Sequence, residues 1–122
     1  MNTKRHCFSC DLKDDQKLIE EYKAYHAKGK AWPEITKSIK DVGIVDMQIY
    51  LTGNRMFMVM EADDTFDSVK KSEMDANNPK AQEWENLMWK YQQELPWAKD
   101  GEKWMALERI FKLGNNENFT NI

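Results

Sequence analysis

Three observations predict an α+β domain in which a four-stranded antiparallel sheet carries helices on one face. Apolar and polar residues alternate strand-fashion over 5–12, 44–51, 56–62 and 104–113. Helical spacing fills the two long intervals, one after the first strand and one after the third. The short connection Thr52-Gly53-Asn54-Arg55 joins the middle strands as a hairpin. The order is β-α-β-β-α-β, with each helical connection broken into two pieces, which is the ferredoxin-like split βαβ plan. A sheet covered on one face leaves the other bare, and a second copy packed sheet to sheet is the expected cover, so a homodimer is predicted.

The first strand places His6, Phe8, Cys10 and Leu12 on one face and Arg5, Cys7, Ser9 and Asp11 on the other. Cys7 and Cys10 share a CxxC spacing. On a strand they face opposite ways at roughly 10 Å, too far for a disulfide, and a zinc site lacks ligands, so both read as structural. Asp14-Asp15 start a helix to about Ala27, with Leu18, Ile19, Tyr22, Tyr25 and His26 at helical spacing. Gly29 interrupts it. Pro33 restarts a second piece that carries Ile35 and Ile39 inward and ends at Gly43, leaving Trp32 at the corner as a packing wedge.

On the second strand Val45, Met47, Ile49 and Leu51 are expected on one face and Ile44, Asp46, Gln48 and Tyr50 on the other. Asp63-Asp64-Thr65 are read as the cap of a third helix, with Phe66, Val69 and Met74 inward. Asn78-Pro79 open a fourth, from about Pro79 to Gln93, whose inward stripe is Trp84, Leu87, Met88 and Tyr91. The run 104–113 is the expected fourth strand. Residues 1–113 form one domain, and the polar stretch 114–122 is expected to be a disordered tail.

With 122 residues there is room for one core and no second domain. The formal charge of -3 offers no basic surface for phosphates, so nucleic acid is an unexpected partner. No run approaches the ~18 apolar residues of a membrane span, and the first residues lead into no signal-peptide core, so a cytoplasmic protein is expected. Five tryptophans, four tyrosines and eight methionines are many for this length. Most serve a core, and their excess also suits a small-ligand or sugar cleft.

Chemistry concentrates at Tyr22 and His26, four residues apart and therefore stacked on one helix face. A phenol beside an imidazole can form a hydrogen-bonding and proton-transfer pair near neutral pH. The ordered set EEYxxxH, WPEI, Gly43, Ile49-Tyr50-Leu51, Met58-Val59-Met60-Glu61 and Gln82-Glu83-Trp84 resembles the L-rhamnose mutarotase family over roughly residues 4–113. That resemblance implies a dimeric α/β barrel that exchanges the α and β anomers of a 6-deoxyhexose without metal or cofactor. It places the proton-donating histidine on His26, a sugar-contacting tyrosine on Tyr22 and a sugar-site tryptophan on Trp84. Two positions depart from the family pattern. Met47 stands where a tyrosine is expected and Glu85 where a second tryptophan is expected, which leaves L-fucose beside L-rhamnose as the substrate. His26 is expected to protonate the ring oxygen, Tyr22 to orient a hydroxyl or relay the proton, and Trp84 to pack on the apolar face of the sugar. The partner base is open among water, Asp46 and Glu85. The same fold also hosts haem-binding or cofactor-independent monooxygenases, the alternative function, and non-catalytic effector-binding domains.

Overall fold

The computed structural model describes residues 3–27 and 29–114. In chain order the elements are β1 (Lys4–Leu12), α1 (Gln16–His26), α2 (Pro33–Asp41), β2 (Ile44–Thr52), β3 (Arg55–Ala62), α3 (Ser68–Ala76), α4 (Pro79–Met88), β4 (Gln92–Gln93) and β5 (Met105–Ala106). The sheet runs β2-β3-β1-β4, every pairing is antiparallel, and β5 adds to β1 as well. This is the strand order of the split βαβ plan, with its fourth strand in two short pieces.

Local chemistry sets the ends of these elements. Asp15 adopts an extended backbone and accepts from the amides of Lys17 and Leu18 at 2.9 and 3.1 Å, satisfying two of the open N–H groups of α1. Pro33 occupies the first turn of α2, where its missing N–H costs nothing. Gly53, at φ +57, begins the two-residue hairpin turn between β2 and β3. Gly43 links α2 to β2 with φ +94, and a Cβ there would lie 2.5 Å from the Asp63 carboxylate and 2.6 Å from the Thr65 hydroxyl. Its carbonyl also accepts from the Asp63 amide at 2.8 Å. The crossing therefore needs glycine for both conformation and space.

Two apolar clusters join the helices to the sheet. Cys10, Leu12, Ile19, Tyr22, Met56, Met88 and Tyr91 form the larger, and Val42, Ile44 and Met60 the smaller, with Phe8, Ile39, Met47 and Phe66 against it. The cross-strand partners Cys10–Met56 and Phe8–Met58 confirm that even-numbered residues of β1 and β3 share the helix side. On the opposite side Asp11 is buried and holds Arg55 through two contacts of 2.8 and 3.1 Å. That ion pair marks the hairpin end of the β1–β3 register. Cys7 and Cys10 are both free, and they occupy opposite faces of β1.

Several expectations need correction. The run 104–113 is not a long strand: only Met105–Ala106 pairs with β1, and the ladder's last bond runs from the Leu107 amide to the Cys7 carbonyl at 2.8 Å. Beyond it Ile110, Phe111 and Leu113 are 88%, 75% and 90% exposed, because their strand-like alternation meets no sheet edge among the described residues. The edge of β1 is also shared with Gln92 and Gln93, expected inside the last helix. The Tyr91 carbonyl accepts from the Lys13 amide at 2.8 Å, so α4 ends at Met88 and the chain turns onto the sheet. Asp67, not Asp63, caps α3, while Asp63 closes a turn onto Thr65. Val69 and Met74 are consequently exposed. A register shift between Ile44 and Asp46 turns Ile44 to the helix side with Met47, Ile49 and Leu51. The expected tail falls outside the described residues apart from Gly114.

Gly43→Ala is expected to cost roughly 1–3 kcal/mol, from left-handed strain and displacement of the Asp63–Thr65 turn. Urea unfolding at unchanged slope measures it. A loss below about 0.5 kcal/mol would show that the α2–β2 crossing does not depend on this conformation.

Candidate functional site

Where α1 and α2 arch over β2, they leave a cavity of about 590 Å³, within the ~300–1,000 Å³ range of small-molecule sites. It lies on the helix side of the sheet. Its wall is largely aliphatic, with Leu12, Ile39, Ile44, Met47, Ile49, Leu51 and Met56, and its polar groups are Tyr22, Lys23, His26, Thr36, Lys40 and Asp46. Ile49 keeps 36% of its surface open although it faces the helices, because it borders this space. An aliphatic wall with few polar groups suits a ligand that carries both hydroxyls and an apolar substituent.

The last turn of α1 supplies Tyr22 and His26. Their rings stack with centroids 4.3 Å apart and planes 18° from parallel. His26 Nδ1 lies 2.9 Å from the Tyr22 carbonyl oxygen. A carbonyl only accepts, so Nδ1 carries the proton and Nε2 of the neutral ring keeps its lone pair. The residue is exposed at the cavity mouth, yet its ring is enclosed by Tyr22 on one side and Trp84 on the other. Partial desolvation pulls the imidazole below its ordinary pKa, and the bond to the Tyr22 carbonyl opposes that shift. Near pH 7 the ring is therefore neutral and its free nitrogen is a base.

Tyr22 is buried, and Gln92 Nε2 donates to its hydroxyl at 3.0 Å. Burial pushes its pKa up to about 12, so the phenol stays protonated and able to donate. Trp84 packs edge-on against His26, with centroids 5.5 Å apart, and also meets Tyr25 and Trp32 at 6.2 and 5.0 Å. It backs the histidine and stands outside the cavity lining. Trp32, the corner residue, thereby braces Trp84.

Of the two positions that depart from the family pattern, Met47 lines the cavity. Glu85 is exposed on α4, away from that lining, with its carbonyl accepting from Lys103 Nζ at 3.5 Å. Asp46 lines the cavity and accepts from Gln48 Nε2 at 3.3 Å. The structure thus brings Tyr22, His26, Met47 and Asp46 to one space, sets Trp84 behind His26 and leaves Glu85 apart. Sequence reasoning missed Gln92, because it was counted into the preceding helix, and it missed Lys23, Thr36 and Lys40, whose types are ordinary for helix surfaces. No group of three or more metal-ligating side chains occurs among the described residues.

Comparison with known proteins identifies the family. The family model for L-rhamnose mutarotase matches residues 5–113. An L-fucose mutarotase of Xanthomonas campestris pv. campestris is 39% identical over 113 residues, covering 93% of this chain and 90% of that protein. The solved L-rhamnose mutarotase of Formosa agariphila superimposes with a TM-score of 0.64 at 26% identity, over 90% of this chain and 98% of the other. The tetracenomycin F2 cyclase of Streptomyces glaucescens, a type-II polyketide cyclase, shares the fold alone, at 17% identity and TM-score 0.58 over 92% of this chain and 98% of that one. With nearly the whole chain matched by the family model, this protein belongs to the L-rhamnose mutarotase family.

Proposed function

We propose that this chain is a cofactor-independent mutarotase that interconverts the α and β anomers of a 6-deoxyhexose, L-rhamnose or L-fucose, with His26 moving the proton. The observation that carries the proposal is the bond from His26 Nδ1 to the Tyr22 carbonyl at the mouth of a 590 Å³ cavity, because it leaves Nε2 as the working nitrogen. Ring opening removes a proton from the anomeric hydroxyl, breaks the bond from C1 to the ring oxygen and places a proton on that oxygen. Neutral His26 accepts the first proton, and the imidazolium so formed protonates the ring oxygen. Rotation about C1–C2 presents the other face of the carbonyl, and the reverse sequence closes the ring. One histidine thus serves as base and acid in turn.

The Tyr22 hydroxyl donates a hydrogen bond to the ring oxygen while negative charge develops there. Trp84 packs behind the imidazole and holds its plane against the sugar. Met47, with Ile49 and Leu51, receives the C6 methyl group, and Asp46 accepts from a sugar hydroxyl at the polar rim. Glu85 has no part in this assignment, because it stands away from the cavity. Free cysteines suit a reducing cytoplasm as the place of action. We also infer a homodimer that packs the outer sheet face against a second copy, supported by the exposed cross-strand pair Tyr50 and Phe57 on that face. Light scattering is expected to give twice the mass of one chain. A single-chain mass would contradict the dimer.

Saturation transfer between the α and β anomeric protons tests the activity. Exchange is expected to accelerate for L-fucose or L-rhamnose, and His26→Ala is expected to lose roughly 10²–10⁴-fold of that acceleration. L-Galactose, which is L-fucose with a C6 hydroxyl, should exchange more slowly by on the order of 10–10²-fold, since the aliphatic wall offers that hydroxyl no partner. Equal rates for wild type and His26→Ala would remove His26 from the reaction.

The rate should also fall on the acid side, with a midpoint below the ordinary histidine value of 6.5, because protonation fills Nε2. The same lowered pKa means that the unfolded chain binds this proton first, so native stability is lost as pH falls below 6.5 toward the native value. A pH–rate profile with its acid midpoint above 6.5 would contradict the neutral-base assignment.

A further inference from the structure

We infer that Gln92 is a positioning residue for this reaction: from behind the cavity wall its amide N–H holds the Tyr22 oxygen, so that the phenol proton is directed to the sugar. The inference rests on the mutarotase reading of the site. Gln92 is 3% exposed and lies on β4 directly opposite Leu12, which lines the cavity. Its Nε2 donates to the Tyr22 hydroxyl at 3.0 Å, so that oxygen is already acting as an acceptor and its own proton remains to be given elsewhere. Gln92 bonds to Tyr22 across 70 residues of sequence, which makes it a tertiary restraint on a group at the end of α1.

A second feature separates this role from packing. The Gln92 Oε1 atom is buried without a hydrogen-bond partner among the described residues. A buried amide with one polar end unmet is a poor choice for stability, and an aliphatic side chain of similar size would serve the fold as well. What only the amide supplies is the N–H on the Tyr22 oxygen. That N–H opposes the effect of burial on the phenol and so improves it as a donor.

The test compares Gln92→Leu, Gln92→Met, Tyr22→Phe and the double variant Tyr22→Phe/Gln92→Leu with wild type, by anomer exchange on the sugar that wild type turns over. For both Gln92 variants kcat is expected to fall about tenfold, as the loss of one hydrogen bond at the reacting group allows, with KM within about twofold and a melting temperature unchanged or higher. The double variant should be no slower than Tyr22→Phe alone, because Gln92 acts only through the phenol. The Gln92 side-chain amide resonance in glutamine-labelled protein should also move on Tyr22→Phe. Losses that add in the double variant, a rate drop carried by KM, or an amide resonance indifferent to Tyr22 would each overturn the inference. A wild-type protein that accelerates no sugar would overturn the mutarotase reading with it, whereas additive losses in an active enzyme would remove only Gln92.

Discussion

The site depends on one contact, the bond between His26 Nδ1 and the Tyr22 carbonyl in the final turn of α1. It joins a side chain to the backbone of its own helix, so the imidazole can hold its tautomer only while that turn holds its shape. Asp15 caps the start of α1, and Ile19 and Tyr22 bury its inner face against the sheet. The end is open, with the Ala27 backbone extended and Gly29 at φ +81. An abrupt stop places the histidine where helix gives way to loop, close enough to solvent for a ligand to enter and close enough to Tyr22 and Trp84 to be fixed. Fixing the ring before a ligand arrives is the kind of pre-organisation that a proton-transferring imidazole needs.

The cavity has a different origin. At an outer position in the strand order, β2 bulges near Ile44, and α2 meets the smaller apolar cluster through Ile39 rather than through a fully buried stripe. Space remains between them. Its wall is made largely of methionine, isoleucine and leucine, which ask for no hydrogen bonds and, on the proposed reading, would face the C6 methyl. Methionine at position 47 extends this aliphatic surface where a tyrosine would have added a hydroxyl. L-Rhamnose and L-fucose share the C6 methyl and differ in the configuration of their ring hydroxyls, so the polar groups Lys23, Thr36, Lys40 and Asp46, rather than the aliphatic wall, are where the two would be told apart.

Much of this was legible in the sequence because it followed from short-range rules. Alternation located β1, β2 and β3, while Asp15 and Asn78 marked helix starts by side-chain capping and Pro33 and Gly43 marked a helix start and a turn by backbone preference. Tyr22 and His26 were legible as a pair because helical geometry stacks residues four apart. What escaped depended on partners distant in sequence. Gln92 left the helical pattern only because the edge of β1 at Leu12 was free to pair with it. Residues 107–113 alternate as a strand should, but alternation cannot tell whether an edge is present to receive them. The bulge at Ile44 likewise reversed one face assignment, since a single extra residue changes which side every earlier position takes. Glu85 was singled out by its position in a motif, and helix geometry turned it away from the cavity.

Imidazole nitrogen spectroscopy of His26 in labelled protein, titrated at pH 7 with L-fucose and with L-rhamnose, tests the central claim most directly. The account predicts a neutral ring protonated at Nδ1, with the Nε2 signal alone moving strongly as the turned-over sugar binds. A ring protonated at Nε2, or an Nε2 signal unmoved by either sugar, would contradict it.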